Sequence, residues 1–509
     1  MERAAIKPWL KVELKRQVEL AIPMIVINLL LFAVPTTSVM FVGHISELAL
    51  SGASLAYSIT NVTGLSLLMG LASALDILCG QAYGAQQYSL VGLYLQRALI
   101  VLYACSIPLA ILWSNMQHIL LALGQDAAIS KQAGEFMLWL IPTLFTYSAT
   151  LPLIRFMQAQ SLVVPVVLCC ACTICCHVPL CYALVFMTGL ESQGAALATS
   201  ISTFLNMLLL SLYVLLATSC EQTRTPFSSK AFCNLKDFLK LAVPSALMMW
   251  YGTVTEAFLE LLTFNEVNIV LKKLIAVCNL FLLCISLEWW SYEALIIVSG
   301  WLPNPELETS VISVCYNCAA FAFMVPSGLG SMASTRIANE LGAGRPDAAR
   351  RAVYISAGLA SCEAILVSVA FISLRNVLGK VYSKDEEAHI ELLSYTSCFI
   401  LFDFIEILGM KLFLLLHYYL LGIARGCGWQ KAGAYINFAS YYVVGLPVAC
   451  ILAFVFHIKA EGLWLGINSG AIVQLIALVA ITWVSDWTKE VTKAVGRLPQ
   501  DAAREPLLK

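Results

Sequence analysis

Two glutamates stand beside aromatic residues at the start of a long apolar run, in the stretch LEWWSYEALIIVSGWLPNP over residues 287–305. Glu288 and Glu293 have three aromatic neighbours there, Trp289, Trp290 and Tyr292. A carboxylate inside a bilayer is costly, so its presence indicates a functional site such as one that gains and loses a proton. The alternative is interfacial anchoring, because Trp and Tyr commonly hold helices at the membrane surface.

Composition identifies the class of protein that must position these residues. Of 509 residues, 60% are hydrophobic and 12% are charged, about half the charge of a soluble domain. Apolar runs of about 20 residues recur throughout, which predicts an all-α polytopic membrane protein. The net charge of −1 argues against a nucleic-acid partner. The charged N-terminus has no short apolar core with a cleavage site, so we predict no signal peptide.

Cysteines are numerous but do not form a metal-binding pattern. The 18 cysteines fall mostly within apolar runs, where Cys behaves as a small buried apolar residue. The densest group, at 169–176 next to His177, lacks paired C-x-x-C arms. We therefore expect helix packing there and no metal site.

Twelve apolar segments divide into two sets of six around a polar stretch at 218–240. Loop charge orients them: 22 basic residues fall in the loops and tails on one side and five on the other. The positive-inside rule then places both termini in the cytoplasm. The predicted organisation is a cytoplasmic tail (1–16), a six-helix lobe (17–217), a cytoplasmic linker (218–240), a second six-helix lobe (241–486) and a cytoplasmic tail (487–509).

The two sets repeat each other. Gly70, Gln81 and Gly84 match Gly328, Asn339 and Gly342 at an offset of 258. Arg155 and Gln160 match Arg425 and Gln430 at 270, and Pro179 and Gly194 match Pro447 and Gly462 at 268. Equivalent helices have the same orientation, so the axis relating the halves runs along the membrane normal.

One segment interrupts the repeat. Leu20–Pro23 matches Leu241–Pro244 at an offset of only 221, which leaves 37 extra residues before the 258 offset begins. Residues 250–286 have this length and contain Lys272 and Lys273, which are costly in a spanning helix. We expect this segment to be an insertion that is not part of a working protein; a lineage-specific hairpin is the alternative. A smaller excess falls near 408–420.

Five motifs in fixed order resemble the multidrug and toxic compound extrusion (MATE) family, especially its plant branch. They are FVGHISELALSGASLA, SALDILCGQAYGA, LEWWSYEALIIVSGWLPNPELETSV, VPSGLGSMASTRIANELGAGRP and GIARGCGWQKAGAYIN. The resemblance implies a twelve-helix fold with two six-helix lobes around a central cleft. It also implies cation-driven antiport that exports organic cations, xenobiotics or secondary metabolites such as flavonoids and alkaloids. The energy source is the proton gradient, with no cofactor and no enzymatic activity.

The resemblance assigns proton coupling to Glu288, Glu293 and Asp403. Five positions rotate by about 140° around a helix, so the two glutamates do not share one face. The first helix, where several bacterial relatives have an acid, offers only Asn28. Substrate-cleft candidates are Asn28, Trp289, Trp290 and Tyr292.

Other motif residues are expected to have structural roles near the cytoplasmic helix ends. Asp76 is expected to cap and brace the intracellular loop, glycines, Gly344 among them, to mark helix ends and close turns, and the arginines to anchor topology or pair with loop acids. The residues are Asp76, Gly80, Gln81, Gly84, Arg155, Asn339, Glu340, Gly342 and Arg425.

Three functions remain open on the sequence. The first is the proton-coupled exporter, a monomer in the plasma or vacuolar membrane that handles small organic solutes, protons and membrane lipids. The second is a lipid-linked-precursor flippase, which a wide cationic cleft would favour, although almost all basic residues lie in loops. The third is a non-transporting product disabled by its insertions. No phosphate-binding GxxxxGK[ST] run occurs, which argues against ATP hydrolysis.

Overall fold

A computed structural model describes residues 8–122, 127–243 apart from Asn234, Lys236, Asp237 and Lys240, 305–382, and 419–497 apart from Ile458. These residues are almost entirely helical, and no strand occurs among them. The chain before the linker forms α1 (Pro8–Gly43), α2 (Glu47–Thr60), α3 (Ser66–Ala72), α4 (Ala74–Gly84), α5 (Tyr88–Ser114), α6 (Met116–Ala122), α7 (Ala127–Ala159), α8 (Val163–Tyr182) and α9 (Glu191–Leu216).

The later helices have two long members and several short ones. They are α10 (Pro305–Gly342), α11 (Pro346–Tyr382), α12 (Gln430–Phe438), α13 (Leu446–Cys450), α14 (Lys459–Val484) and α15 (Trp487–Gly496), with further helical residues at 419–427. Both α10 and α11 begin at a proline, whose missing N–H is no loss in the first helical turn. Short π-helical segments occur at Asn61–Leu65, Ala183–Met187, Ala439–Gly445 and Ile451–Val455.

Eight described helices are long and apolar enough to cross a membrane. Six of them precede the linker and begin at Trp9, Leu48, Tyr88, Ala127, Val163 and Glu191, as the sequence predicts. The other two are Tyr435–Val455 and Leu465–Val484. The predicted eighth and ninth segments correspond to α10 and α11. The predicted seventh segment, including 250–286, and most of the tenth lie outside the described residues.

The chain divides into two compact units whose boundaries differ from the predicted lobes. The N-unit contains 22–281, 338–346 and 488–509, and the C-unit contains 1–21, 282–337 and 347–487. In the N-unit, α7 packs against α2, α5 and α9; in the C-unit, α14 packs against α13 and the neighbouring π-helical segments. The predicted linker joins the N-unit, because the Gln96 amide donates to the Thr225 carbonyl at 3.0 Å.

Local geometry confirms the repeat at the offset of 268. The π-helical segments Ala183–Met187 and Ile451–Val455 have this offset, as do Gly189 and His457, which both have positive φ. A Cβ on Gly194 would lie 2.7 Å from the carbonyl carbon of Leu184, and a Cβ on Gly462 would lie 2.7 Å from that of Leu452. The same close helix contact is therefore built twice.

The match at the offset of 270 is three residues out of register. The turn after α7 has Ser161 in the left-handed conformation, and the corresponding turn has Gly428 there, which is an offset of 267. Both turns close through backbone hydrogen bonds, from Leu162 to Met157 and from Trp429 to Ala424. Arg155 and Arg425 are therefore not equivalent positions of the repeat. The sequence comparison paired them because both are arginines, but superposing the two turns pairs other residues.

Candidate functional site

The motif residues on α4, α7 and the end of α10 come together within the N-unit, at the end predicted to be cytoplasmic. Their centre is a close crossing of two repeat-related segments, which we call the glycine crossing: Gly80, Gln81, Gly84, Ala338, Asn339 and Gly342. A Cβ on Gly80 would lie 2.6 Å from the Cβ of Ala338. Small residues allow helix backbones to approach this closely.

The glycine crossing is built reciprocally. A Cβ on Gly84 would collide with the backbone of Asn339, and a Cβ on Gly342 would collide with the backbone of Gln81. Gly84 is the repeat mate of Gly342, and Gln81 is the mate of Asn339, both at 258. Gly84 therefore contacts the repeat counterpart of Gln81, and Gly342 contacts the repeat counterpart of Asn339. A local two-fold axis between the two segments requires such reciprocal contacts.

The same turn ends both helices after the crossing. The amides of Gln87 and Arg345 donate to the carbonyls of Ala82 and Glu340, at 2.9 and 3.0 Å. The residue in the left-handed conformation is Gly344 in the second copy, with φ +72°, and Gln86 in the first, with φ 62°. This is the glycine-type helix end that the sequence predicts. Arg345 also forms an ion pair with the Glu340 carboxylate, with 2.9 Å between Arg345 Nε and Glu340 Oε2.

Asp76 and Arg155 form a buried ion pair beside the crossing. The Arg155 Nε lies 3.5 Å from the Asp76 Oδ1, and the two side chains are 12% and 4% exposed. Arg155 also donates to the Gln158 side chain at 3.2 Å. The pair ties α4 to α7, whereas the sequence led us to expect that Asp76 braces the intracellular loop. It gives Arg155 a partner within the helices rather than in a loop.

The two amides of the crossing differ in their surroundings. The Asn339 Nδ2 donates to the carbonyl of Ala159 at 3.1 Å. Ala159 is the last residue of α7, so its carbonyl has no donor within the helix. The Gln81 side chain is buried, and neither its oxygen nor its nitrogen has a hydrogen-bond partner in the part of the chain that the structure describes. Only the Asn339 amide therefore caps a helix.

A polar network that the sequence analysis missed lies inside the N-unit. His177 is fully buried, with its Nε2 3.2 Å from the Ser38 hydroxyl and its Nδ1 2.9 Å from the Ser202 hydroxyl. The Ser38 and Tyr57 hydroxyls each contact Thr199, at 2.8 and 2.9 Å. The network links α1, α2, α8 and α9. Its sequence signal is a single histidine next to the cysteines of an apolar segment.

The cysteines beside His177 mostly face away from the protein. Cys172, Cys175 and Cys176 are exposed, whereas Cys170 is buried against Asn206, with its Sγ 3.8 Å from the Asn206 amide nitrogen. No group of three or more potential metal ligands occurs among the described residues.

The remaining predicted residues are not part of this cluster. Asn28 is half-buried on α1, and Arg425 lies half-buried among the helical residues 419–427 of the C-unit. The proton-coupling candidates Glu288, Glu293 and Asp403 lie outside the described residues, as do three cleft candidates, Trp289, Trp290 and Tyr292.

The family model MatE matches residues 23–183 and 282–451. The chain is 44% identical to Protein DETOXIFICATION 16 of Arabidopsis thaliana over 498 residues, which is 98% of this chain and 93% of the relative. It is 42% identical to Protein DETOXIFICATION 17 of the same plant, over 96% of this chain and 93% of the relative. It superposes on the crystal structure of the eukaryotic MATE transporter AtDTX14 with a TM-score of 0.82 and 38% identity, covering 96% and 99% of the two chains. A MATE structure in the straight conformation, 14% identical with a TM-score of 0.74 over 95% and 97% of the chains, shares the fold.

These matches define an all-α, multi-pass membrane protein with the MATE-type twelve-helix fold of two six-helix lobes. The chain belongs to the MatE family and is similar throughout its length to plant DETOXIFICATION proteins. It is an efflux transporter of small organic solutes and not an enzyme. The glycine crossing and the Asp76–Arg155 pair are thus parts of a transporter's helix framework.

Proposed function

We propose that this chain is a proton-coupled antiporter that exports organic cations, xenobiotics or secondary metabolites of the flavonoid and alkaloid class. One observation supports coupling in the C-terminal lobe. The buried carboxylates among the described residues of the N-unit, Asp76, Glu340 and Glu490, all form ion pairs, with Arg155, Arg345 and Lys493. A nearby opposite charge favours the ionised carboxylate. The candidates that the family resemblance assigns to proton coupling, Glu288, Glu293 and Asp403, belong instead to the C-terminal lobe.

The coupling mechanism is competition between a proton and the solute. A protonated carboxyl favours one opening of the transporter, and an ionised carboxylate favours the solute-bound form and the other opening. A ligand shifts such an equilibrium only through its different affinity for the two states. Neutralising the carboxylate permanently therefore removes the dependence on the proton gradient.

The test is solute uptake into inside-out vesicles driven by an imposed pH gradient, with a panel of cationic dyes and flavonoids. In a background that transports, we expect Glu288→Gln to abolish gradient-driven flux without loss of expression, and Glu293→Gln to reduce flux less or to change solute affinity. Glu135→Gln is the matched control, because Glu135 is 34% exposed on α7. Gradient-driven flux at the wild-type rate in Glu288→Gln would show that the coupling assignment is wrong.

We also propose that residues 250–286 are not part of the working transporter. The first part of the family match begins at Pro23, and the repeat counterpart of Pro23 is Pro244. The second part would therefore be expected to begin near Pro244, but it begins only at residue 282. This late start supports an interruption between Pro244 and Leu287. A retained intron or a misplaced exon junction accounts for it.

Sequencing of the expressed transcript is the test of the insertion. We expect Met249 to be joined directly to Leu287, and the shortened protein to transport where the 509-residue chain does not. A full-length transcript whose product transports normally would refute the insertion.

A further inference from the structure

Glu363 is a carboxylate that has no hydrogen-bond partner among the described residues of the C-unit. It lies on α11, and it is the only Asp, Glu, Lys or Arg within residues 357–374. Both of its carboxylate oxygens are buried, and neither has a hydrogen-bond partner in the described chain. No ion pair of the described residues includes it. An ionisable residue in such a setting indicates function by default.

The carboxylate lies on the side of α11 that packs into the C-unit. Seven residues are close to two full turns, so Glu363 is on the same face as Ser356. Ser356 is 1% exposed, and its hydroxyl donates to the Gln17 side chain at 2.8 Å. Ala360 and Ala364, on either side of Glu363, are 1% and 0% exposed. Glu363 therefore lies next to the small, buried residues Ser356, Ala360 and Ala364 of α11.

The charged and titratable groups on neighbouring described elements are engaged elsewhere. Glu13 of α1 accepts Arg336 of α10 through both of its oxygens, at 3.0 to 3.1 Å. The Tyr419 hydroxyl donates to the carbonyl of Val353. Arg425, on the same helical segment as Tyr419, forms no ion pair or hydrogen bond with Glu363.

The charges of α11 itself are remote. The other charged residues of α11 are all at least twelve residues from Glu363, which is about 18 Å along a helix: Asp347, Arg350, Arg351, Arg375 and Lys380. The Arg351 guanidinium lies over the Trp9 ring, 5.5 Å from its centroid. None of these cations is placed to neutralise a carboxylate at Glu363.

An ionised carboxylate is far more costly in such surroundings than a neutral carboxyl group. We propose that Glu363 is a proton-binding site of the C-unit, additional to Glu288, Glu293 and Asp403, and that it holds a proton in this conformation. The carboxylate oxygen takes one proton to form an O–H bond, and it returns that proton when water or a cationic solute reaches it. The proposal rests on the proton coupling proposed above.

Labelling with a hydrophobic carbodiimide is the direct test, because this reagent reacts with protonated carboxyl groups in apolar surroundings. The full chain in lipid nanodiscs is treated at neutral pH, and the adducts are located by peptide mass spectrometry. We expect an adduct on Glu363 several-fold more abundant than on Glu19, and less of it at alkaline pH. Glu19 is the internal control, since its side chain is 62% exposed and pairs with Lys15. Equal or weaker labelling of Glu363 overturns the proposal.

The pH dependence of transport is the second readout. Glu363→Gln is fixed in the neutral form, so in the form of the protein that transports we expect it to retain downhill solute exchange and to lose stimulation by a pH gradient, whereas Glu19→Gln retains both. A Glu363→Gln protein with the pH profile of its parent overturns the proposal. If neither the 509-residue chain nor the form that joins Met249 to Leu287 moves solute, the proposed antiport fails, while the labelling of Glu363 still decides whether this carboxyl binds a proton.

Discussion

The glycine crossing predicts a specific pattern of stability losses. In Gly84→Ala the new methyl group would lie 2.7 Å from the carbonyl carbon of Asn339, and in Gly342→Ala it would lie 2.6 Å from the Cα of Gln81. Overpacking of this kind costs about 1–3 kcal/mol. We expect each variant near the upper end of that range, because the obstructing atoms belong to the backbone and cannot rotate away.

The double variant separates a shared contact from two independent ones. Either methyl group pushes the same two helices apart, so the second substitution adds little once the first has separated them. Neighbouring sites typically show interaction energies of about 0.5–3 kcal/mol. The expected loss of stability in Gly84→Ala with Gly342→Ala is therefore clearly smaller than the sum of the single losses.

Thermal unfolding of the purified variants in one detergent provides the measurement, with Gly358→Ala on α11 as the matched control. A Cβ at Gly358 would have no neighbour within 4 Å. Replacing a helical glycine by alanine favours the helix by about 0.8–1.0 kcal/mol, so the control should be as stable as the wild type or more so. Wild-type stability in both single variants, or strict additivity in the double variant, would refute the reciprocal contact.

Two further predictions concern the ion pair and the topology. Asp76→Asn leaves the Arg155 guanidinium buried without its counter-charge and should lower the free energy of unfolding by about 3–5 kcal/mol. Adding Arg155→Gln should restore part of that stability, and thermal unfolding measures both variants. An Asp76→Asn protein of wild-type stability would contradict the role of the ion pair in tying α4 to α7. Cys233 in the linker is exposed, so in a background without the other exposed cysteines an impermeant thiol reagent should label it in inside-out vesicles and not in intact cells. Labelling in intact cells would contradict the cytoplasmic placement of the linker.

Much of the fold follows from local sequence signals. Apolar runs of membrane length predicted six spans before the linker, and six described helices that are long and apolar enough to cross a membrane occur there. Glycine near the end of a helical pattern predicted the turn at Gly344, because left-handed backbone is easiest for glycine. The corresponding turn uses Gln86, which has no such signal. The match of Arg155 with Arg425 at the offset of 270 is wrong for a related reason. The sequence comparison paired two similar side chains, whereas the turns at Ser161 and Gly428 set the register of the repeat.

Local sequence signals do not predict the contacts of the candidate site. The sequence identified the motif residues by their order and spacing, but it could not place Gly84 against Asn339 or Gly342 against Gln81, because these contacts join residues more than 250 positions apart. The pairing of Asp76 with Arg155 and the burial of His177 are likewise properties of helix packing.

The sequence by itself determined the class of protein, the family, the two-fold repeat and the residue types available for proton coupling, because hydropathy, charge and motif order are written along the chain. The tertiary structure decided which residues meet. It assigned residues 338–346 to the N-unit and residues 1–21 to the C-unit, and it buried both carboxylate oxygens of Glu363 without a hydrogen-bond partner among the described residues. The physical reason is that a side chain's electrostatic environment depends on the neighbouring helices, and a linear pattern does not specify those neighbours.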